Sequence, residues 1–154
     1  MAMELRVPPP VVFLLSALLM NGLAAVVPAL AVPLLGAVRG GLALVLFATG
    51  LFCGMLGLGA LHRASTTPDP RHPERAAVLV TDGIYKYTRN PMYLGMATAL
   101  LAWAVWLSNA AALAGVAAFL AYIQRFQIIP EERALAARFG AEYEAYRNSV
   151  PRWL

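Results

Sequence analysis

Charged side chains are scarce in this sequence of 154 residues: aspartate, glutamate, lysine and arginine together make up only 13% of it. Three stretches, residues 7–38, 40–61 and 90–124, contain none of them. A helix that crosses the hydrocarbon layer needs about 20 apolar residues, and each stretch is at least that long. The shortage of charge therefore excludes an ordinary soluble domain and predicts an integral membrane protein.

Cysteine is almost absent as well. The single cysteine, Cys53, lies within an apolar stretch, so neither a disulfide framework nor a cysteine-based metal site is expected. The sequence also lacks a glycine-rich dinucleotide fingerprint and any motif for binding DNA or RNA. We therefore predict no metal centre and no nucleic-acid partner, and we attribute the net charge of +4 to membrane topology and contact with membrane lipids.

The apolar stretches predict an all-α bundle of four transmembrane helices in a single domain that covers residues 1–154. We place the spans at about residues 11–31, 40–61, 91–107 and 110–129. The third and fourth spans form a tight hairpin, because Ser108 and Asn109 supply turn chemistry inside a stretch too long for one span. The first stretch also fits a cleavable signal peptide, but its length favours a retained span.

The positive charges predict the orientation of the bundle. Every lysine and arginine except Arg39 falls in the N-terminal segment, in residues 62–90 or in residues 125–152. By the positive-inside rule, we expect both termini and residues 62–90 and 130–154 on the cytoplasmic side of the cell or inner membrane.

The second apolar stretch carries Gly50 and Gly54, a spacing that lets two helix backbones approach closely. This pair predicts tight packing, either inside one subunit, which we favour, or across a dimer. The sequence leaves the choice between a monomer and a homo-oligomer open.

The stretch RNPMYLG, residues 89–95, marks the border between a polar segment and the third span. Asn90 is a favoured residue before the first turn of a helix, and Pro91 suits the first helical position. Arg89 and Lys86 stand next to a helix N-terminus, whose free N–H groups already favour anions. Tyr93 adds an aromatic wall. The border is therefore a candidate site for a carboxylate or phosphate, with simple interfacial anchoring of the span as the alternative.

The stretch PEERALAARFGAEYEAYR, residues 130–147, predicts one amphipathic helix that begins at Pro130 and lies on the cytoplasmic side. At about 100° per residue, Glu132 shares the apolar and aromatic face of this helix, whereas Glu131 lies toward its edge. A carboxylate on a buried face needs a partner. We therefore predict Glu132 as the inward ligand group.

The residues LVTDGIYKYTRNPMYLG (79–95) and EERALAARFGAEYEAYRNSVPRW (131–153), separated by a hydrophobic hairpin, resemble the isoprenylcysteine carboxyl methyltransferase family and the related phospholipid N-methyltransferases. The resemblance covers the C-terminal part of the chain, including residues 66–74. It implies an integral membrane enzyme that binds S-adenosylmethionine on its cytoplasmic side and methylates a lipid-like or isoprenoid acceptor.

The resemblance also implies a set of cofactor-binding positions. These are Gly83, Tyr85, Arg89, Asn90, Pro91, Tyr93, Leu94 and Gly95, with Glu131 and Glu132 closing the site from the C-terminal helix. The family pattern usually has histidine where this chain has Asn90, so this position keeps a hydrogen-bonding group and has no titratable imidazole.

The acceptor is either a carboxylate or an amine. A carboxylate needs a cation to orient it, for which Arg125 is a candidate catalytic residue and Arg147 an alternative. An amine needs a base, for which Glu132 and His72 are the candidates. Two other functions remain as alternatives: a membrane-embedded NADPH-dependent reductase of an isoprenoid or sterol-like substrate, and a small transporter or assembly factor. The second disagrees with the clustering of polar groups at one face.

Overall fold

The computed structural model describes residues 4–65 and 76–154. Within those ranges the regular elements are helical, apart from one isolated bridge between Ala31 and Asn109. The α-helices are α1 (Pro9–Val26), α2 (Gly36–Arg63), α3 (Pro91–Leu107), α4 (Leu113–Ile123), α5 (Ile129–Phe139) and α6 (Ala141–Ser149). The predicted all-α class is confirmed for this part of the chain.

In the described residues, three helical stretches are long and apolar enough to cross a membrane: Pro9–Val26, Gly36–Arg63 and the continuous stretch Ala110–Phe139. The fourth apolar helix, α3, is shorter, with 17 residues, and has the bounds predicted for the third span. Large apolar side chains on the outer faces are exposed, among them Leu18 at 66% and Leu44 at 67%. Such a surface is typical of helices that face lipid, so the fold is that of an integral membrane protein.

Helices α2 and α3 cross through glycines. A Cβ atom built on Gly50 would lie 2.6 Å from the carbonyl oxygen of Gly95, and one built on Gly57 would lie 2.9 Å from Cγ of Pro91. A Cβ atom on Gly95 would lie 3.0 Å from the backbone nitrogen of Gly54. Only glycine allows two helix backbones to approach this closely. Gly50 therefore serves packing within one chain, the role favoured from the sequence, whereas a Cβ atom on Gly54 would meet nothing within 4 Å.

The predicted turn between the third and fourth spans lies at Ser108 and Asn109. Ser108 has a left-handed φ of 50° and ends α3. The Asn109 side chain accepts a hydrogen bond from the backbone N–H of Ala111 at 2.9 Å and donates one to the carbonyl of Val27 at 2.9 Å. This one buried amide therefore closes the hairpin and joins it to the end of α1.

The sequence predicted that a new helix begins at Pro130, and the structure shows instead a continuous helical stretch through this residue. Residues Gln124–Ile128 form a π turn in which the N–H of Ile129 donates to the carbonyl of Gln124, five residues earlier. The wider turn takes up the proline, and α4 runs on into α5. The predicted single tail helix is also wrong. Helix α5 ends at Phe139, and α6 starts at Ala141. Between them, Gly140 takes φ 53° and ψ −124°, a conformation nearly restricted to glycine.

A cavity of about 530 Å³ lies between α1, α2 and α3. Its walls include Phe13, Phe47, Trp103 and Trp106. The guanidinium of Arg39, the one cation predicted on the far side of the membrane, lies 5.1 Å from the centre of a Trp106 ring. The cavity therefore lies toward the end of α2 and α3 opposite to residues 89–95.

We expect Gly50→Ala to lower the free energy of unfolding by about 1–3 kcal/mol, because the added methyl group would overlap the carbonyl of Gly95. Gly54→Ala, one turn along the same helix, is the control, since a Cβ atom there meets nothing within 4 Å. It should be neutral or slightly stabilising, because alanine favours a helix. Thermal unfolding in detergent measures both variants, and equal destabilisation would contradict the crossing described above.

Candidate functional site

The predicted border segment lies against the C-terminal part of the chain. The residues that lead into this border begin at Gly83, whose φ of 58° allows the short 3₁₀ turn Gly83–Lys86 to start there. Tyr85 within this turn is buried, and its backbone carbonyl accepts a hydrogen bond from the hydroxyl of Tyr146 on α6 at 2.8 Å. The turn and α6 are therefore packed into one unit.

Residues 88–90 donate hydrogen bonds to the backbone carbonyls of residues 151 and 152. The N–H of Arg89 donates to the carbonyl of Pro151 at 3.1 Å. The carbonyl of Arg152 accepts hydrogen bonds from the Thr88 hydroxyl at 3.3 Å and from the Asn90 amide at 2.9 Å. Asn90 does precede the first turn of α3, as predicted, but its side chain does not cap the helix. The NH₂ group of its side chain donates to the carbonyl of Arg152 instead.

A cluster of charged side chains joins these segments. Glu132 accepts two hydrogen bonds from Arg152, at 2.9 and 2.7 Å, and forms an ion pair with Arg89 at 3.1 Å. The Arg89 guanidinium also donates to the hydroxyl of Tyr143 at 3.2 Å. The side chains of Arg89 and Glu132 are only 10% and 15% exposed, so water screens the pair weakly. We call Arg89, Glu132, Tyr143 and Arg152 the arginine–glutamate cluster.

One donor in this cluster has no partner. Within the described residues, the buried Nε atom of Arg89 makes no hydrogen bond. A buried polar atom without a partner is costly, and native structures contain few of them. The cluster also holds two arginines against one carboxylate, so it keeps a net positive charge next to the N-terminus of α3. Both features suit an additional anionic group.

Glu131 is paired as well. Its carboxylate accepts a hydrogen bond from the hydroxyl of Tyr93 at 2.5 Å. The expectation that Glu131 would lie toward the edge of its helix is wrong. Its helix, α5, has partners on two sides: the first turn of α3 contacts Glu131, while the border segment and residue 152 contact Glu132. Two carboxylates that point about 100° apart therefore both face protein.

Other predicted cofactor positions lie at the start of α3. Pro91 is buried at the first helical position, and its carbonyl accepts a hydrogen bond from Sγ of Cys53 at 3.3 Å. The N–H of Leu94 donates to the carbonyl of Asn90 at 2.9 Å and closes the first turn. Gly95 lies against α2. These three residues set the position of the helix start.

Arg125 lies in the π turn and is bound elsewhere. Its guanidinium pairs with Glu4 at 3.1 Å, and Arg133 pairs with the other oxygen of Glu4 at 2.6 Å. The hydrogen bond from Arg125 is the main cause that lowers the pKa of the Glu4 carboxyl. Arg147, the alternative candidate, pairs with Glu144 at 2.7 Å. His72 and the predicted motif at residues 66–74 lie outside the described residues.

Three residues at or beside the cluster were not singled out from the sequence: Tyr143, Tyr146 and Arg152. Burial raises the pKa of all three of the phenols Tyr85, Tyr143 and Tyr146, and the hydrogen bond to Glu132 raises the pKa of Arg152. At neutral pH these phenols are thus protonated, and the Tyr146 hydroxyl donates to the Tyr85 carbonyl. The only sequence signal for Arg152 was that the family resemblance extends to Trp153.

Comparisons with known proteins identify the family of this chain. A family model described as phospholipid methyltransferase matches residues 38–142, more than half of the chain. An uncharacterized protein of Haemophilus influenzae is 48% identical over 63 residues, which are 41% of this chain and all of that protein. A protein-S-isoprenylcysteine O-methyltransferase of Schizosaccharomyces pombe is 40% identical over 76 residues, 48% of this chain and 31% of that protein. No solved structure matches.

The hydrogen bond from Tyr146 to Tyr85 is testable by removal of one oxygen. We expect Tyr146→Phe to lower the free energy of unfolding by about 1–3 kcal/mol, because it leaves a buried carbonyl unsatisfied. Tyr122→Phe is the matched control, since the buried Tyr122 hydroxyl has no hydrogen-bond partner within residues 4–65 and 76–154. That variant should be neutral or stabilising in thermal unfolding. Equal losses for the two variants would argue against the role given to Tyr146.

Proposed function

We propose, from the premise that this chain belongs to the phospholipid methyltransferase family, that it transfers a methyl group from S-adenosylmethionine to a lipid-like acceptor at the cytoplasmic face of the membrane. Membership follows from the family match over more than half of the chain, and together with the match to the Schizosaccharomyces pombe methyltransferase it confirms the family resemblance stated from the sequence. Because the chain covers only 31% of the Schizosaccharomyces pombe methyltransferase, the activity as a whole is a proposal.

The observation that carries the cofactor assignment is the incomplete pairing of Arg89. S-adenosylmethionine has a carboxylate, and a charge-assisted hydrogen bond from the free Nε donor would satisfy both groups. The N-terminus of α3 directly follows and favours the same negative charge. The residues present therefore fit the methionine end of this cofactor.

The neighbouring residues are proposed to complete the cofactor site. Tyr93 and Glu131 offer a hydroxyl and a carboxylate that suit a ribose or the positive sulfonium. The turn at Gly83 and Tyr85 would form a wall, and Glu132 would hold Arg89 and Arg152 in position. Asn90, Pro91, Leu94 and Gly95 would present the first turn of α3 to the cofactor. When bound, S-adenosylmethionine supplies an electrophilic methyl group, so the task of these residues is to align the reactants and exclude water.

The acceptor-side roles are proposals as well. Arg125 could orient an acceptor carboxylate only after release of Glu4, because the two are paired here. Glu132 could accept a proton from an amine more readily after one of its arginine partners moves, because Arg152 and Arg89 already use three of the roughly four acceptor sites of its carboxylate. Either step would have to accompany acceptor binding.

We further propose that all four apolar helical stretches cross the membrane, with residues 62–90 and 130–154 on the cytoplasmic side. At 1.5 Å per residue α3 is about 26 Å long, slightly less than the hydrocarbon thickness. Its N-terminus would then lie near the inner interface. The arginine–glutamate cluster would be placed where a water-soluble cofactor and a membrane-borne acceptor can meet.

Calorimetric titration of the detergent-purified protein tests the cofactor. We expect S-adenosylmethionine and S-adenosylhomocysteine to bind and NADPH not to bind. Arg89→Ala should weaken S-adenosylmethionine binding by about tenfold or more, the value of a hydrogen bond between charged groups. Arg63→Gln, which removes an exposed positive charge at the end of α2, is the control and should bind normally. Binding of NADPH alone would instead favour a reductase.

The acceptor class can be determined with membranes and S-adenosylmethionine labelled in its methyl group. A labelled lipid that loses its label as methanol in mild alkali is a carboxyl methyl ester, and one that keeps its label is an N-methylated amine. We expect label in the lipid fraction, and expect Arg89→Ala to abolish most of it. Label that stays entirely in the aqueous phase would contradict a lipid-like acceptor.

A further inference from the structure

The π turn brings together two arginines that a regular helix would separate. Arg125 and Arg133 are eight residues apart, which corresponds to about 80° of rotation in an α-helix. The extra residue of the π turn makes this spacing resemble seven residues, or about 20°, so both side chains lie on one face. They bind the two oxygens of a single carboxylate, that of Glu4, at 3.1 and 2.6 Å.

Pro130 determines how Glu4 reaches this pair. Proline has no N–H group, so it cannot bond the carbonyl of Phe126 four residues earlier. That carbonyl accepts a hydrogen bond from the N–H of Leu5 at 2.9 Å. The side chain of the next residue, Gln127, donates to the carbonyl of Val7 at 2.7 Å. Residues 4–7, the N-terminal segment, therefore lie along the helix at the point where Pro130 cannot supply an N–H donor.

Glu4 can readily be replaced on the two arginines by another anion. Leu5 has a φ of 58°, in the left-handed region that a bulky residue rarely adopts, so the segment is held under strain. The arginine side chains are 58% and 57% exposed, and ion pairs at such positions are weak and easily replaced. The pair also follows directly on the apolar part of the helix, where lipid headgroups would lie.

We propose that Arg125 and Arg133 form a binding site for the phosphate of an anionic lipid headgroup, and that Glu4 occupies this site as an internal competitor. A phosphate offers the same spread of negative oxygens as the carboxylate, with more charge, and arginine binds both through paired N–H groups. This site is separate from the proposed cofactor site, because none of its contacts involves the arginine–glutamate cluster.

The test is titration of the detergent-purified protein with short-chain phosphatidic acid, with inorganic phosphate and with short-chain phosphatidylcholine. Arg125→Gln and Arg133→Gln should each weaken binding of phosphatidic acid about fivefold, the effect of one arginine at an anionic surface. Glu4→Gln should strengthen it about two- to fivefold, because the competitor is gone. Misfolding could not produce this gain.

Matched controls remove the same charges elsewhere. Arg6→Gln takes an exposed cation from the same segment, and Glu144→Gln takes the carboxylate from the exposed pair with Arg147. Both should bind phosphatidic acid normally. Unchanged or weaker binding by Glu4→Gln would overturn the competitor role. Equal affinity for inorganic phosphate, or for phosphatidylcholine, would overturn the assignment to an anionic lipid headgroup.

Discussion

The position of the candidate site depends on one carboxylate, Glu132, shared by two arginines. Removing two guanidinium groups and a carboxylate from water is costly, and the cost is offset only when each group finds its partners. Arg89 comes from the segment before α3, Glu132 from α5 and Arg152 from the segment after α6. Because Glu132 pairs with both arginines, these three distant parts of the chain lie together.

Hydrogen bonds and close packing on both sides fix the position of the candidate site. On the polar side, residues 88–90 hydrogen-bond to residues 151 and 152. On the membrane side, the start of α3 is held against α2, where Gly57 lies under Pro91 and Cys53 donates to its carbonyl. The first turn of α3 is thus fixed before any ligand arrives, a property expected of a site that must align two reactants.

The helices were predictable because their signals are local. Hydropathy placed the apolar helices, Pro91 marked the start of α3, and Ser108 and Asn109 marked the turn that follows it. The π turn and the break at Gly140 were not predicted, although a glycine after an amphipathic stretch is a known sign of a helix end. That signal was outweighed by the regular spacing of aromatic residues on both sides of Gly140.

The candidate site was only partly predictable, because its contacts join residues far apart in sequence. Arg89 and Glu132 could be named from a helix start and a helical wheel. The wheel could not show that α5 has partners on two sides, so it placed Glu131 wrongly. The residues next to Arg152 in the sequence did not distinguish it from the arginines used to predict membrane orientation. Its role depends on contacts with Asn90 and Glu132, which are far away in the sequence.

The glycine crossing of α2 and α3 also restricts how the molecule can move. No side chain separates the two backbones at Gly50 and Gly95, so rotation or sliding of one helix would press backbone atoms of the other. The two helices should behave as one rigid body. Any opening by which a long-chain molecule enters sideways from the bilayer must then arise from displacement of α1 or α4 relative to this pair.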